Sequence, residues 1–207
     1  MRQGLFITFE GIDGCGKTTQ IDILTKRLQK KNLKYTLVRE PGGTKIGEKI
    51  RKILLDNDNI NMEHKTELLL YSASRYQLCK QKLLPELDAG KIVICDRFYD
   101  STTAYQGYGR GLDIDFINSL NKFATDELVP DLTFFLDISL NEREKRIGNN
   151  KLDRLESEQN NFHQKVREGF LKINKKNRNR FVKLNGKDGI EIISKKIWNN
   201  IERKING

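Results

Sequence analysis

The segment Gly11-Ile-Asp-Gly-Cys-Gly-Lys-Thr18, entered from the apolar run Leu5-Phe-Ile-Thr-Phe9, constrains this chain more than any other feature. Its G-x-x-x-x-G-K-T spacing directly after a strand is that of a phosphate loop. Gly11, Gly14 and Gly16 let successive backbone N–H groups turn inward around phosphate oxygens, Lys17 reaches the β- and γ-phosphates, and the Thr18 hydroxyl is placed to ligate Mg²⁺. A helix opening at Lys17 adds the positive end of its dipole. A phosphate loop alone leaves the second substrate open: a GTPase, an ATPase motor or a small-molecule kinase would all carry one.

With 207 residues, 37% hydrophobic and 32% charged, the chain has material for one core, so a single domain spanning 1–207 is expected. No apolar run approaches the roughly 18 residues of a membrane span, and Met1-Arg-Gln-Gly4 leads straight into the first strand, so the expectation is a cytoplasmic protein without membrane partners. The net charge of +10 suits an anionic ligand, but the lysines are spread over polar helix faces without interleaved aromatics, and nucleotides rather than nucleic acid are the expected partners. Cys15, Cys79 and Cys95 are unclustered and read as reduced thiols; Cys15, beside Lys17 among inward N–H groups, is expected to be acidified. His64 and His163 read as structural.

Strand and helix signals alternate along the chain. Tyr35-Thr-Leu-Val38, Gly90-Lys-Ile-Val-Ile-Cys95, Leu132-Thr-Phe-Phe-Leu-Asp137 and Arg180-Phe-Val-Lys-Leu184 join the first strand in a five-stranded parallel sheet, with helices on both faces. Ile21, Leu24 and Leu28 mark the first helix; Ile46, Ile50, Ile53 and Leu54 mark another; Pro85 starts a new turn or helix. Arg39 and Arg97 fall at strand tips beside the phosphate loop, where bidentate guanidinium groups are suited to hold an acceptor phosphate. Tyr71 and Arg75, four apart on a helix, project from one face, a ring to stack on a flat base and a donor for its carbonyl edge.

Five segments fall in the order and spacing of thymidylate kinases: Glu10-Gly-Ile-Asp-Gly-Cys-Gly-Lys-Thr-Thr19, Arg39-Glu-Pro-Gly-Gly-Thr44, Leu69-Leu-Tyr-Ser-Ala-Ser-Arg75, Asp96-Arg-Phe-Tyr-Asp-Ser-Thr-Thr-Ala-Tyr-Gln-Gly107 and Leu152-Asp-Arg-Leu-Glu156. The chain resembles that family, in its bacterial form with lid arginines, over essentially its whole length. The resemblance implies an α/β P-loop NTPase fold with a mobile lid, phosphoryl transfer from MgATP to dTMP in dTTP biosynthesis, and a homodimer. It implies ATP contacts from Gly11, Ile12, Asp13, Gly14, Cys15, Gly16, Lys17, Thr18, Thr19 and Arg143. It implies dTMP contacts from Asp13, Arg39, Pro41, Tyr71, Arg75, Arg97, Ser101, Thr102, Tyr105 and Gln106. In the family Asp13 serves the 3′-hydroxyl, Tyr105 crowds the ribose 2′ position, and Asp96, with Thr18, belongs to the magnesium and catalytic end of the site.

Some thymidylate kinases carry an arginine inside the phosphate loop, in the slot held here by Gly14. The charge on the transferring phosphoryl is then expected to be met from a lid, Asn141 to Glu156, whose Arg143, Lys145, Arg146, Lys151 and Arg154 flank Gly148-Asn-Asn150. Arg146 and Arg154, with Lys17, Asp96 and Arg97, are the expected catalytic residues, and the choice among Arg143, Arg146 and Arg154 stays open at this point. Another nucleoside monophosphate kinase and a nonenzymatic P-loop regulator are the alternatives; Tyr71, Arg75 and Tyr105 speak against a purine site.

Overall fold

The computed structural model describes residues 3–148 and 152–206, so Asn149, Asn150 and Lys151 at the centre of the expected lid lie outside the described residues. Five short strands, β1 (Phe6–Glu10), β2 (Tyr35–Arg39), β3 (Ile92–Asp96), β4 (Leu132–Asp137) and β5 (Phe181–Asn185), form one all-parallel sheet in the order β2-β3-β1-β4-β5. The helices are α1 (Lys17–Lys30), α2 (Lys45–Leu55), α3 (His64–Leu78), α4 (Leu84–Asp88), α5 (Tyr99–Thr102), α6 (Ile114–Thr125), α7 (Leu140–Ile147), α8 (Asn160–Lys176) and α9 (Ile190–Asn206). Among the described residues no helix is long and apolar enough to cross a membrane.

Local chemistry explains the starts of several helices. The Thr44 hydroxyl accepts from Gly47 N–H (2.9 Å) ahead of α2, Asp113 from Phe116 N–H (2.7 Å) ahead of α6, and Ser139 from Glu142 N–H (3.4 Å) ahead of α7. Pro85 does not break its surroundings: α3 continues through a π-turn, Cys79–Leu83, into α4, and the proline occupies the first turn of α4, where its missing N–H costs least.

Strand side chains alternate between two packed layers, as the pleat requires. Ile7, Phe9, Ile94 and Phe134 join Leu24 and Leu28 of α1 and Ile193 and Ile197 of α9 in one cluster. Phe6, Val93 and Cys95 cluster with Leu78, Leu83 and Leu87, while Phe135 stacks on Phe170 of α8 (5.3 Å between centroids). One surface is left apolar: Ile46 and Ile53 of α2, Leu69 and Tyr76 of α3, and Phe116 and Phe123 of α6 are exposed, the last 75%, and the Tyr76 and Phe123 rings stack at 6.2 Å.

The sheet's register positions the site. Phe9 pairs with Asp96, and Asp96 with Arg39, so the tips of β1, β3 and β2 end side by side. The chain turns from β3 on one side of β1 to β4 on the other, and the crevice above such a switch is where open α/β sheets bind ligands.

Candidate active site

A cleft of about 470 Å³ lies over these strand tips. Asp13, Gly14, Gly16, Lys17, Thr18 and Thr19 line its floor. Gly14 (φ 77°) and Gly16 (φ 99°) take the left-handed backbone that lets the loop turn its amides inward. Lys17 Nζ is held by the carbonyls of Gly11 (3.1 Å) and Ile12 (3.4 Å), with Cys15 Sγ at 3.7 Å. Gly11, Ile12 and Cys15 lie behind the cleft floor, Ile12 and Cys15 as members of the core. The expectation for Cys15 is corrected here: its thiol is buried, and burial pushes it up against the pull of Lys17 and Arg97, so it is less acidic than a free cysteine.

Arg97 organises the middle of the cleft. It sits at φ 69°, a conformation rare for a non-glycine residue. From there Nη1 donates to Gly11 O (2.8 Å) and Ser101 Oγ (3.2 Å), and Nη2 pairs with Asp13 Oδ1. The Tyr105 hydroxyl donates to the other Asp13 oxygen at 3.1 Å. Burial works to raise the Asp13 carboxyl, but Arg97 and Lys17 win and hold it well below the usual carboxylate range. Arg39 donates from Nη1 to Pro41 O (3.1 Å) and from Nη2 to Glu48 (3.0 Å). Arg51 of α2 donates to the same Pro41 carbonyl (3.0 Å) and lines the cleft, a third arginine at this mouth that the sequence reading missed. Its only signal was its place on the helix that follows Arg39-Glu-Pro-Gly-Gly-Thr44.

Asp96 lines the cleft with one carboxylate oxygen, Oδ1, buried and without a hydrogen-bond partner among the described residues. An orphaned anionic acceptor on a residue that shares the cleft with Lys17 and Thr18 fits a cation or its water. Mg²⁺ keeps waters and shares nucleotide phosphates rather than sitting in an all-protein cage, so one carboxylate and one hydroxyl suffice.

The opposite end of the cleft is built on α3. Tyr71 lines it, and Arg75, 1% exposed, gives Nε (2.8 Å) and Nη2 (2.6 Å) to Glu40 Oε2, Nη2 to Thr102 Oγ1 (2.9 Å) and Nη1 to Asn121 Oδ1 (3.3 Å). A guanidinium has five N–H groups, and these four bonds leave one on Nη1 over. Pro41, Ser101, Thr102, Tyr105 and Gln106 line the same end. Glu40, Phe98, Leu55 and Leu155 join them and were not singled out; Glu40, Phe98 and Leu155 fall inside the matching segments 39–44, 96–107 and 152–156, while Leu55 had no local signal.

Glu10, the last residue of β1, supports this floor from below. It is fully buried, accepting Phe98 N–H at 2.8 Å and the Ser101 hydroxyl at 2.6 Å. Burial, with the charge of Asp100 adding, pushes its carboxyl from 4.5 up to about 8. An acid whose folded value lies above its unfolded one binds more protons folded than unfolded. The stability it contributes is therefore complete below about 4.5 and lost as pH rises through about 8. Between pH 6 and 8.5 the parent's unfolding free energy should fall more steeply than that of Glu10→Gln, by roughly 1 kcal/mol per pH unit or less, and its melting temperature with it. Parallel melting curves against pH for the two proteins would remove this account.

The three lid arginines are separated by the structure. Arg146 lines the cleft, its Nη1 3.4 Å from Gly14 O and 3.5 Å from Cys15 O, its Nη2 on Gly186 O (2.8 Å) and its Nε on Glu142 (2.7 Å). Arg143 is buried and spends Nη2 on Glu156 O (2.8 Å). Arg154, expected beside the phosphoryl group, is 2% exposed and turned the other way, donating to Leu54 O (2.8 Å) and to Glu67 (2.6 Å). His163 is buried with Nε2 3.2 Å from Glu156 O, as a structural histidine would be.

Residues 9–197 match the family model described as Thymidylate kinase. The chain is 49% identical over 201 residues to the thymidylate kinase of Thermoanaerobacter sp. (strain X514), covering 93% of this chain and 98% of that one. It is 46% identical to the thymidylate kinase of Caldanaerobacter subterraneus subsp. tengcongensis, covering 99% and 98%. Among solved structures it is similar to thymidylate kinase from Ehrlichia chaffeensis, with a TM-score of 0.79 and 36% identity over 96% of this chain and 98% of that one.

Proposed function

The chain belongs to the thymidylate kinase family and is an ATP-dependent dTMP kinase forming dTDP, and from that premise we propose how its cleft divides the work. ATP lies on the phosphate loop from Gly11 to Thr19, with Lys17 on its β- and γ-phosphates. The dTMP phosphate lies against Arg39 and Arg97, its 3′-hydroxyl against Asp13, and thymine stacks on Tyr71 with its carbonyl edge toward Arg75. Tyr105, fixed by Asp13, crowds the position where a ribonucleotide carries its 2′-hydroxyl. The observation that carries this reading is the convergence, in one cleft, of the phosphate loop with Arg97 and with the Tyr71 and Arg75 stripe of α3.

The chemistry asked of the protein is positioning and electrostatics. Two anionic phosphates repel as they approach; Arg97 and Lys17, held rigidly by Gly11 O and by Asp13, offset that repulsion without reorganising. Thr18 and Asp96 would hold Mg²⁺, which when bound neutralises charge on the β- and γ-phosphates. Arg146 is the lid residue that meets the transferring charge, and the segment from 141 to 156 shuts out water.

Assay of MgATP against a panel of monophosphates, read as ADP formation, tests this. Turnover is expected with dTMP, less with dUMP, and little with ribothymidine, cytidine or purine monophosphates; equal turnover of dTMP and its ribose counterpart would exclude the assignment of Tyr105. The protein acts as a cytoplasmic homodimer through the apolar face of α2, α3 and α6. Leu68, 2% exposed, serves the core, and Leu69, 56% exposed, serves that face. Sedimentation at micromolar concentration as a 24.1 kDa monomer would overturn the dimer.

A further inference from the structure

Glu67, fully buried on α3 one turn before Tyr71 and two before Arg75, has no role in the reading above. Its two carboxylate oxygens are saturated by donors. Oε1 accepts from Gln106 Nε2 (2.8 Å) and Arg110 Nε (3.2 Å); Oε2 accepts from Arg154 Nη2 (2.6 Å) and Arg110 Nη2 (3.2 Å). Arg110 is itself held by Glu158. An ionised carboxylate only accepts, and these arginines keep Glu67 below its ordinary carboxylate value despite burial. The Gln106 amide therefore has no choice of flip: its NH₂ must face Glu67, and its carbonyl oxygen is the atom left for the cleft that Gln106 lines.

That fixes what the cleft offers the edge of a pyrimidine. Arg75, with one N–H to spare, presents a donor; Gln106, so turned, presents an acceptor. Thymine and uracil show the complement, the O4 acceptor beside the N3–H donor. Cytosine shows the reverse, an N4 amino donor beside an N3 acceptor.

We propose that Glu67 is a positioning residue that sets pyrimidine specificity: by locking the Gln106 amide with its oxygen toward the base, it makes the site read the imide N3–H and reject cytosine. The proposal rests on the placement of thymine beside Tyr71 and Arg75. Glu67→Gln supplies the test. The side chain at position 67 then has one oxygen, for which the two arginines compete, and an NH₂ that makes Gln106 turn its own oxygen inward and its NH₂ to the base.

The ratio of kcat/KM for dTMP over dCMP should fall about tenfold or more, from the loss of one matched hydrogen bond and the relief of one mismatch. The ratio for dTMP over dUMP, which share the imide edge, should stay within about threefold. A merely structural loosening would move both ratios or neither. Gln106→Leu should lower the dTMP over dCMP ratio likewise, and adding Glu67→Gln to it should lower the ratio no further, because the first acts through the second. In the unaltered protein, labelled at side-chain nitrogens, the Gln106 Nε2 protons should be protected from exchange and should hold their shift when dTMP binds, a readout that needs no variant to fold. An unchanged dTMP over dCMP ratio in Glu67→Gln, or Nε2 protons that shift strongly onto the base, would overturn the proposal. If instead Gln106→Leu leaves kcat/KM for dTMP itself untouched, the base is not bound beside Gln106 and the underlying placement fails.

Discussion

Replacing Arg97 with alanine is expected to lower kcat/KM for dTMP by about 10³-fold while ATP affinity changes less than about fivefold. The guanidinium bridges both halves of the cleft, bonding Gly11 O of the phosphate loop, Asp13, and Ser101 on the nucleoside side. In the proposed placement its loss removes a charge-assisted clamp on the acceptor phosphate, worth about 10² to 10³ by itself. It also leaves the half-buried Asp13 carboxylate facing the incoming phosphates with Lys17 and the Tyr105 hydroxyl to hold it down. The second effect adds a loss of about 1 to 3 kcal/mol in stability, visible as a lower melting temperature. Alanine keeps the same backbone penalty at φ 69° that arginine accepts, so the comparison isolates the side chain. Arg97→Lys, with charge but no planar fork, should fall between the two. Steady-state ADP release with titration of ATP binding measures both quantities, and turnover within tenfold of the parent would remove Arg97 from the acceptor clamp.

What could be read in advance was what depends on neighbours in sequence. The phosphate loop, the strand tips that end in Arg39 and Asp96, and the Tyr71 and Arg75 stripe all declare themselves through local spacing, and the cleft assembles from them because parallel strands place their carboxyl ends together. What could not be read depends on burial and on partners far along the chain. Glu67 gathers Gln106, Arg110 and Arg154 from separations of 39, 43 and 87 residues, and nothing near position 67 announces them. Arg154 has the composition of a lid arginine and the surroundings of a core one. Cys15 has the neighbours of an acidic thiol, but burial outweighs Lys17. The 3.6-residue period of Ile46, Ile50, Ile53 and Leu54 marks a helix correctly, yet it does not say which apolar residues meet the core: Leu54 does, while Ile46 and Ile53 face outward.

The same distinction supports Arg146 as the arginine that, in the proposed reading, neutralises the transferring phosphoryl. Arg143 and Arg154 are buried and committed, the first to Glu156 O and the second to Leu54 O and Glu67, whereas Arg146 lines the cleft. Arg146 is anchored by Glu142 (2.7 Å) and Gly186 O (2.8 Å), but its Nη1 contacts to Gly14 O and Cys15 O of the phosphate loop are at the long distances of 3.4 and 3.5 Å that a stronger anionic partner would displace. A Cβ at Gly14 would come within 3.7 Å of Arg146 Cβ, so α7 brings its arginine over the slot where some relatives carry one in the loop. Arg146→Ala is therefore expected to lower kcat by about 10³-fold or more, within the range an arginine at the transferring phosphoryl supplies, with KM for dTMP within about threefold. Arg154→Ala should do the reverse, raising KM for dTMP and lowering the melting temperature through Glu67, with a far smaller fall in kcat. A kcat for Arg146→Ala within tenfold of the parent, or a larger loss from Arg154→Ala, would reassign the role, because the two arginines bond to opposite sides of the cleft and cannot exchange it without breaking the network under the base.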